Sequence, residues 1–245
     1  EWDEPQAVIG SYLQRYAYPD WFQQHLDNDK QLKHAHQHSA GVVNCLQLRG
    51  EYLYVAEGEE GVQVYDVAGI ANKGISQRII SAPFSPLGHN THLPTSNASC
   101  IALPSNQPIN PVKNQGELMR VDNQEQPIHP IYSYAVITDA EEGLILVNID
   151  TFMDGEPRNN FLKRALTWNE NGILKGARHV TIGGHYLYIT TDQGVVIVDV
   201  DKPLTPTVTA VIPLTGAQAT AIQFRYLFVT DAQGLKVIDI SNINK

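Results

Sequence analysis

The sequence predicts an all-β fold, a β-propeller of four-stranded antiparallel blades. One hairpin pattern recurs four times, its bare spacing is about 40 residues, and its apolar periodicity is that of strands, not helices. The first copy runs Tyr52-Leu-Tyr54-Val-Ala56 into Gly61-Val-Gln-Val64-Tyr65-Asp66-Val67, and the second Tyr132-Ser-Tyr134-Ala-Val136 into Gly143-Leu-Ile-Leu146-Val147-Asn148-Ile149. The third is Tyr186-Leu-Tyr188-Ile into Gly194-Val-Val-Ile197-Val198-Asp199-Val200, and the fourth Tyr226-Leu-Phe228-Val into Gly234-Leu-Lys-Val237-Ile238-Asp239-Ile240. β-Branched and aromatic residues fill both arms of each hairpin. An acidic residue and then a glycine supply the turn. Asp139, Asp192 and Asp231 read as one recurring turn position, with Glu57 near it in the first copy, so these carboxylates are expected to be structural and not catalytic.

Alternating runs before each hairpin supply the innermost strands: Val42 to Leu48, Ala98 to Leu103, Ala177 to Ile182 and Ala217 to Ile222. An outer strand follows the hairpin, clearest from Pro206 to Ile212, and residues 5–12 (Pro5-Gln-Ala7-Val8-Ile9-Gly10-Ser11-Tyr12) read as the same element. The whole chain is expected to form a single propeller region, with blade repeats at about 41–67, 98–150, 176–200 and 217–240 and insertions at about 14–40 and 83–130. Four blades either close a small ring, in which the N-terminal strand completes the final hairpin, or form a segment of a larger propeller. The absence of an initiator Met and the start inside a repeat point toward the second arrangement.

Composition narrows the partners. With 17 basic against 26 acidic side chains in 245 residues, the net charge is -9, so no general basic field exists to hold nucleic acid. No apolar run approaches a membrane span, and no signal peptide is present at Glu1. Cys45 and Cys100 allow at most one disulfide and exclude a cysteine-rich scaffold or a CxxC redox motif.

The Val195-Val-Ile197-Val198-Asp199-Val200 and Leu235-Lys-Val237-Ile238-Asp239-Ile240 runs, with the Tyr-x-Tyr before them and the proline-bearing outer strand after them, resemble the LVIVD-repeat proteins. The resemblance covers most of residues 41–67 and 131–245. It departs at Asn148, where the repeat has Asp, and over 14–40 and 83–130. The resemblance implies a β-propeller exported from bacterial or archaeal cells, to a periplasmic, secreted or cell-surface location, with no single enzymatic activity attached to the repeat.

The insertions hold most of the chemistry. In the first, Asp20 would cap a short helix bearing Trp21, Phe22 and Leu26, and the segment ends in His34-Ala-His36-Gln-His38, whose imidazoles share one face if the chain is extended. The second carries His89 and His92. Repeat alignment also places Cys45, Cys100 and His179 at equivalent positions of three inner strands, with Ala219 in the fourth. Sulfur and imidazole gathered at a channel mouth suit zinc, copper or haem iron. The alternatives for the same residues are a Cys45–Cys100 disulfide, if the α-carbons lie within about 7 Å, or packing between blades, with Cys as a small hydrophobe. Asp150, Asp154 and Glu156 read as solvated loop acids, and no nucleophile elbow, zinc-protease helix, phosphate loop or EF-hand is present, so no catalytic residue is assigned. The expectation is an exported binding or assembly platform acting through its inserted loops, with a protein partner or the remaining blades of a larger propeller. The alternative is a metal- or haem-associated redox protein.

Overall fold

A computed structural model of the chain describes residues 41–66, 77–78, 91–104, 129–154 and 160–243. The expected N-terminal strand at 5–12, the Asp20-capped helix, and His34, His36, His38 and His89 lie outside the described residues. Within them the elements are strands and short 3-10 turns.

Four antiparallel sheets follow one another as the blades of a four-bladed β-propeller. Blade 1 consists of β1 (Cys45–Arg49), β2 (Tyr52–Ala56), β3 (Val62–Asp66), and an outer strand in two pieces, β4 (Gln77–Arg78) and β5 (His92–Leu93), both paired with β3. Blade 2 is β6 (Ala98–Ala102), β7 (Tyr134–Asp139), β8 (Gly143–Asn148) and β9 (Lys163–Trp168). Blade 3 is β10 (His179–Gly183), β11 (Tyr186–Thr191), β12 (Gly194–Asp199) and β13 (Thr207–Pro213). Blade 4 has β14 (Ala219–Gln223), β15 (Tyr226–Asp231) and β16 (Gly234–Asp239). His92, expected in an inserted loop, therefore belongs to the outer edge of blade 1, where its Nε2 donates to the Glu60 carbonyl at 2.6 Å.

Strand periodicity explains the packing. Alternate residues point to opposite faces of a blade, so a blade between two neighbours must be apolar on both faces. That is why Leu144, Ile145, Leu146 and Val147, or Val195 to Val198, form unbroken apolar runs, and all of them are buried. Three clusters result. Tyr54, Val62 and Val64 of blade 1 meet Ile101, Ile137 and Ile145 of blade 2. Val136, Leu144 and Leu146 then meet Val180, Leu187 and Val196, and Tyr188, Val195 and Ile197 meet Leu227 and Val229.

The Asp that ends each apolar run has a local task. Asp199 and Asp239 each accept the backbone amide two residues on, from Asp201 at 2.7 Å and Ser241 at 2.9 Å. Asn148 does the same for Asp150 at 3.1 Å, so its amide oxygen replaces the carboxylate without changing the turn.

The hairpin turns correct one expectation. Asp139 lies opposite Gly143 and Asp231 opposite Gly234, but the residue opposite Gly194 is Thr191, not Asp192. The Thr191 hydroxyl accepts the Gln193 amide at 3.2 Å, as Asp231 accepts that of Gln233 at 2.7 Å. Relieved of the turn, Asp192 pairs with Arg178. Asp139 does the most: fully buried, it accepts the amides of Glu141 and Glu142 at 2.9 and 2.8 Å and reaches the Asn97 amide at the entry to blade 2 at 2.6 Å.

Replacing Asp139 orphans those amides, each at a cost of about 1 kcal/mol or more. Asp139→Ala is expected to lose about 3 kcal/mol of stability in urea unfolding, and Asp139→Asn, which keeps one acceptor oxygen, about half of that. A loss below about 0.5 kcal/mol for Asp139→Ala would contradict this role.

Candidate functional site, the inner-strand cavity

The inner strands β1, β6, β10 and β14 surround a cavity of about 450 Å³ lined by all four blades. Register shows how the sequence builds its wall. Cys45, Cys100, His179 and Ala219 lie opposite Ala56, Thr138, Thr190 and Thr230, respectively, which are equivalent positions of the second strand in each blade. Two residues further on, Gln47, Ala102, Thr181 and Ala221 form a second tier opposite Tyr54, Val136, Tyr188 and Phe228. The repeat alignment thus correctly groups Cys45, Cys100 and His179 in one tier.

What the tier does differs from thiolate ligation. Cys45 and Cys100 are joined in a disulfide, with α-carbons 4.8 Å apart. Adjacent inner strands converge closely enough at this end of the blades to fall within disulfide reach. Sulfur in a disulfide is not a thiolate donor, so in this oxidised form neither cysteine serves as the soft metal ligand the sequence suggested. Among the described residues, no three His, Cys, Asp or Glu side chains gather in a way that would hold a metal ion. His92, on the outer edge of blade 1, and His179, on an inner strand, are placed on different strands of different blades.

His179 turns to the next blade instead. Its Nδ1 accepts the Thr220 amide at 3.3 Å and lies 3.2 Å from the Thr220 hydroxyl. An acceptor Nδ1 places the ring proton on Nε2. Thr181 reinforces the junction, donating to the Thr220 carbonyl at 2.9 Å, with its hydroxyl 2.8 Å from that of Thr220. Burial holds the His179 pKa below the usual imidazole value. Protonation would also set an Nδ1–H against the Thr220 N–H.

Gln47, Thr181, Thr220 and Gln223 are polar lining residues that the sequence reading passed over. The two-residue step along the inner strands from the Cys45, Cys100 and His179 tier reaches Gln47 and Thr181, whereas Thr220, one residue from the tier position Ala219, carries no such signal. The cavity wall therefore offers side-chain amides, hydroxyls and one neutral-leaning imidazole over an apolar base that includes Ala102, Leu103 and Ile182. Such a lining hydrogen-bonds a polar group without supplying a charge.

Blades of this kind around a central cavity define the class, a β-propeller. The LVIVD-repeat model matches residues 40–76, 176–210 and 217–244, so the chain carries the LVIVD repeat at three segments. Blade 2, which carries Asn148, falls outside those three matches. Among curated proteins none matches the chain. Solved structures similar to it include the computationally designed Ika4 protein, at 10% identity over 82% of this chain and 93% of that one, TM-score 0.46. Another is the extracellular domain of a hybrid two-component system from B. thetaiotaomicron, at 13% identity over 84% of this chain, TM-score 0.47; this chain spans 24% of that one. A third is the Cps50 (Swd1) β-propeller domain of Myceliophteria thermophila, at 13% identity, covering 83% of this chain and 54% of that one, TM-score 0.42.

Two outcomes test the site. The disulfide closes a loop of 55 residues between blades 1 and 2, for which chain entropy gives about 4 kcal/mol. Reduction, or the Cys45→Ala/Cys100→Ala double variant, should lower unfolding stability by about 2–4 kcal/mol, and unchanged stability would contradict it. His179 has a lowered pKa in the folded state, so the unfolded chain takes up its proton first as the pH falls. Its contribution is neutral above about pH 7 and destabilising below about pH 6.5, levelling off once the folded-state pKa is passed. His179→Gln should therefore flatten the loss of stability between pH 7 and 5, and a slope identical to that of the unaltered protein would overturn this assignment.

Proposed function

We propose that the chain is an exported LVIVD-type β-propeller serving as a binding or assembly platform through its inserted loops. The observation that carries this reading is connectivity. The insertion at 14–40 leads into β1 at the end of the blades where the disulfide and His179 begin the inner strands, and the long polar stretch of the second insertion joins the end of β6 to β7 at the opposite end. Two long departures from the repeat thus adjoin the inner strands, one at each end, of a propeller whose cavity is lined by all four blades. Loops set on a rigid β scaffold are the usual place for recognition.

The Cys45–Cys100 disulfide supports an extracytoplasmic setting, because such bonds persist in oxidising compartments and are rare in reducing ones. No helix among the described residues is long and apolar enough to cross a membrane. The net charge of -9 favours a protein or small polar ligand over nucleic acid.

Chemical crosslinking of the protein in its native host, with the linked positions mapped by mass spectrometry, tests this reading. Links to other proteins should concentrate within 14–40 and at the inner-strand starts, and should fall at least severalfold when 16–38 is replaced by a short Gly-Ser turn. Links spread evenly over the blades would contradict the proposal. Stoichiometric zinc, copper or haem on the natively purified protein, lost on substituting His34, His36 and His38, would replace it with the redox reading.

A further inference from the structure

We propose that the inner-strand cavity binds a small, uncharged, polyhydroxylated ring molecule, its carbon face against the wall formed by blades 2 and 3 and its hydroxyls bonded to Gln47, His179 and Gln223. The inference concerns the cavity alone and stands whether or not the inserted loops dock a partner.

The wall carries no charge. Arg49 is the only charged side chain on the four inner strands, and its guanidinium donates to the Tyr132 carbonyl at 3.1 Å instead of lining the cavity. His179 is the one titratable group in the wall, and burial lowers its pKa, so the ring is neutral at pH 7. A carboxylate, phosphate or ammonium entering this cavity would give up water without gaining a counter-charge. That penalty far exceeds the cost of burying a hydroxyl that finds hydrogen bonds.

The wall does carry groups that donate and accept together. Gln47 of blade 1 and Gln223 of blade 4 line the cavity, and neither carboxamide hydrogen-bonds another described residue. Each offers two N–H donors beside a carbonyl acceptor. The Nδ1 of His179, on blade 3, is taken by the Thr220 amide, which leaves Nε2–H as the remaining donor of the ring. A hydroxyl both donates and accepts, so a row of hydroxyls uses both halves of each carboxamide.

The lining is also two-sided. In the tier of Gln47 and Thr181 the other two positions are Ala102 and Ala221, so polar and small side chains alternate from blade to blade and the alanines leave width for a ring. Ala102, Val180 and Ile182, all from the junction of blades 2 and 3, add a stretch of wall without a polar side chain. An aliphatic ring bearing hydroxyls has one surface of each kind. At about 450 Å³ the cavity falls within the size range of small-molecule sites.

Saturation-transfer NMR and titration calorimetry on the full chain test the assignment, with D-glucose, D-galactose and D-mannose as probes, each beside its uronate and its 2-amino sugar. At least one neutral sugar should bind with a dissociation constant in the millimolar range or tighter, and its two charged counterparts should bind about tenfold or more weakly. Gln47→Leu and Gln223→Leu each remove a carboxamide that has no partner among the described residues, so both variants should unfold at the same urea concentration as the unaltered chain. Each should nevertheless weaken binding of that sugar about fivefold or more. The proposal is overturned if no neutral sugar binds, if the charged counterparts bind as tightly, or if neither variant changes the affinity.

Discussion

Every feature of this propeller depends on one constraint: a blade is an apolar sheet on both faces and is stable only where another blade covers it. Tyr188, Val195 and Ile197 on one face of blade 3 are buried because Leu227 and Val229 of blade 4 lie against them. The register-equivalent residues of blade 4, Leu235 and Val237, are 62% and 56% exposed. Chemistry alone does not separate these positions, since Val237 is as apolar as Ile197. The neighbour does, as expected for repeat architectures whose stability is a sum of nearest-neighbour interfaces.

This constraint also explains which parts of the fold were legible in the sequence. The Tyr-x-Tyr and Gly-to-Asp runs identify the hairpins because apolar strands, a turn glycine and an aspartate that caps its own following turn are local requirements. The outer strands were less legible because they lie on the rim and need no shared motif: β13 is Thr207–Pro213, whereas blade 1 uses the two-residue pieces β4 and β5. Repeat alignment failed by one residue at Asp192 because threonine and aspartate cap such a turn interchangeably, so identity of residue type did not mean identity of position.

The inner-strand tier was partly legible. Aligning the copies placed Cys45, Cys100 and His179 together, but type and position left ligation, disulfide and packing open. The distance between adjacent inner strands settles it for the cysteines, since 4.8 Å between α-carbons permits a covalent bond. His179 is taken by Thr220 of the following blade, a partner 41 residues away that no local pattern announces. The disulfide between blades 1 and 2 and the His179–Thr181–Thr220 network between blades 3 and 4 do the same work, each locking one inner strand to the next.

The central claim, that burial by the next blade stabilises each blade, is tested most directly by truncating equivalent side chains in adjacent blades. Under urea unfolding, Ile197→Ala should cost about 2–5 kcal/mol, because it opens a cavity between blades 3 and 4. Val237→Ala, at the same register one blade later, should cost within about 0.5 kcal/mol of nothing. Equal losses at the two positions would contradict the account.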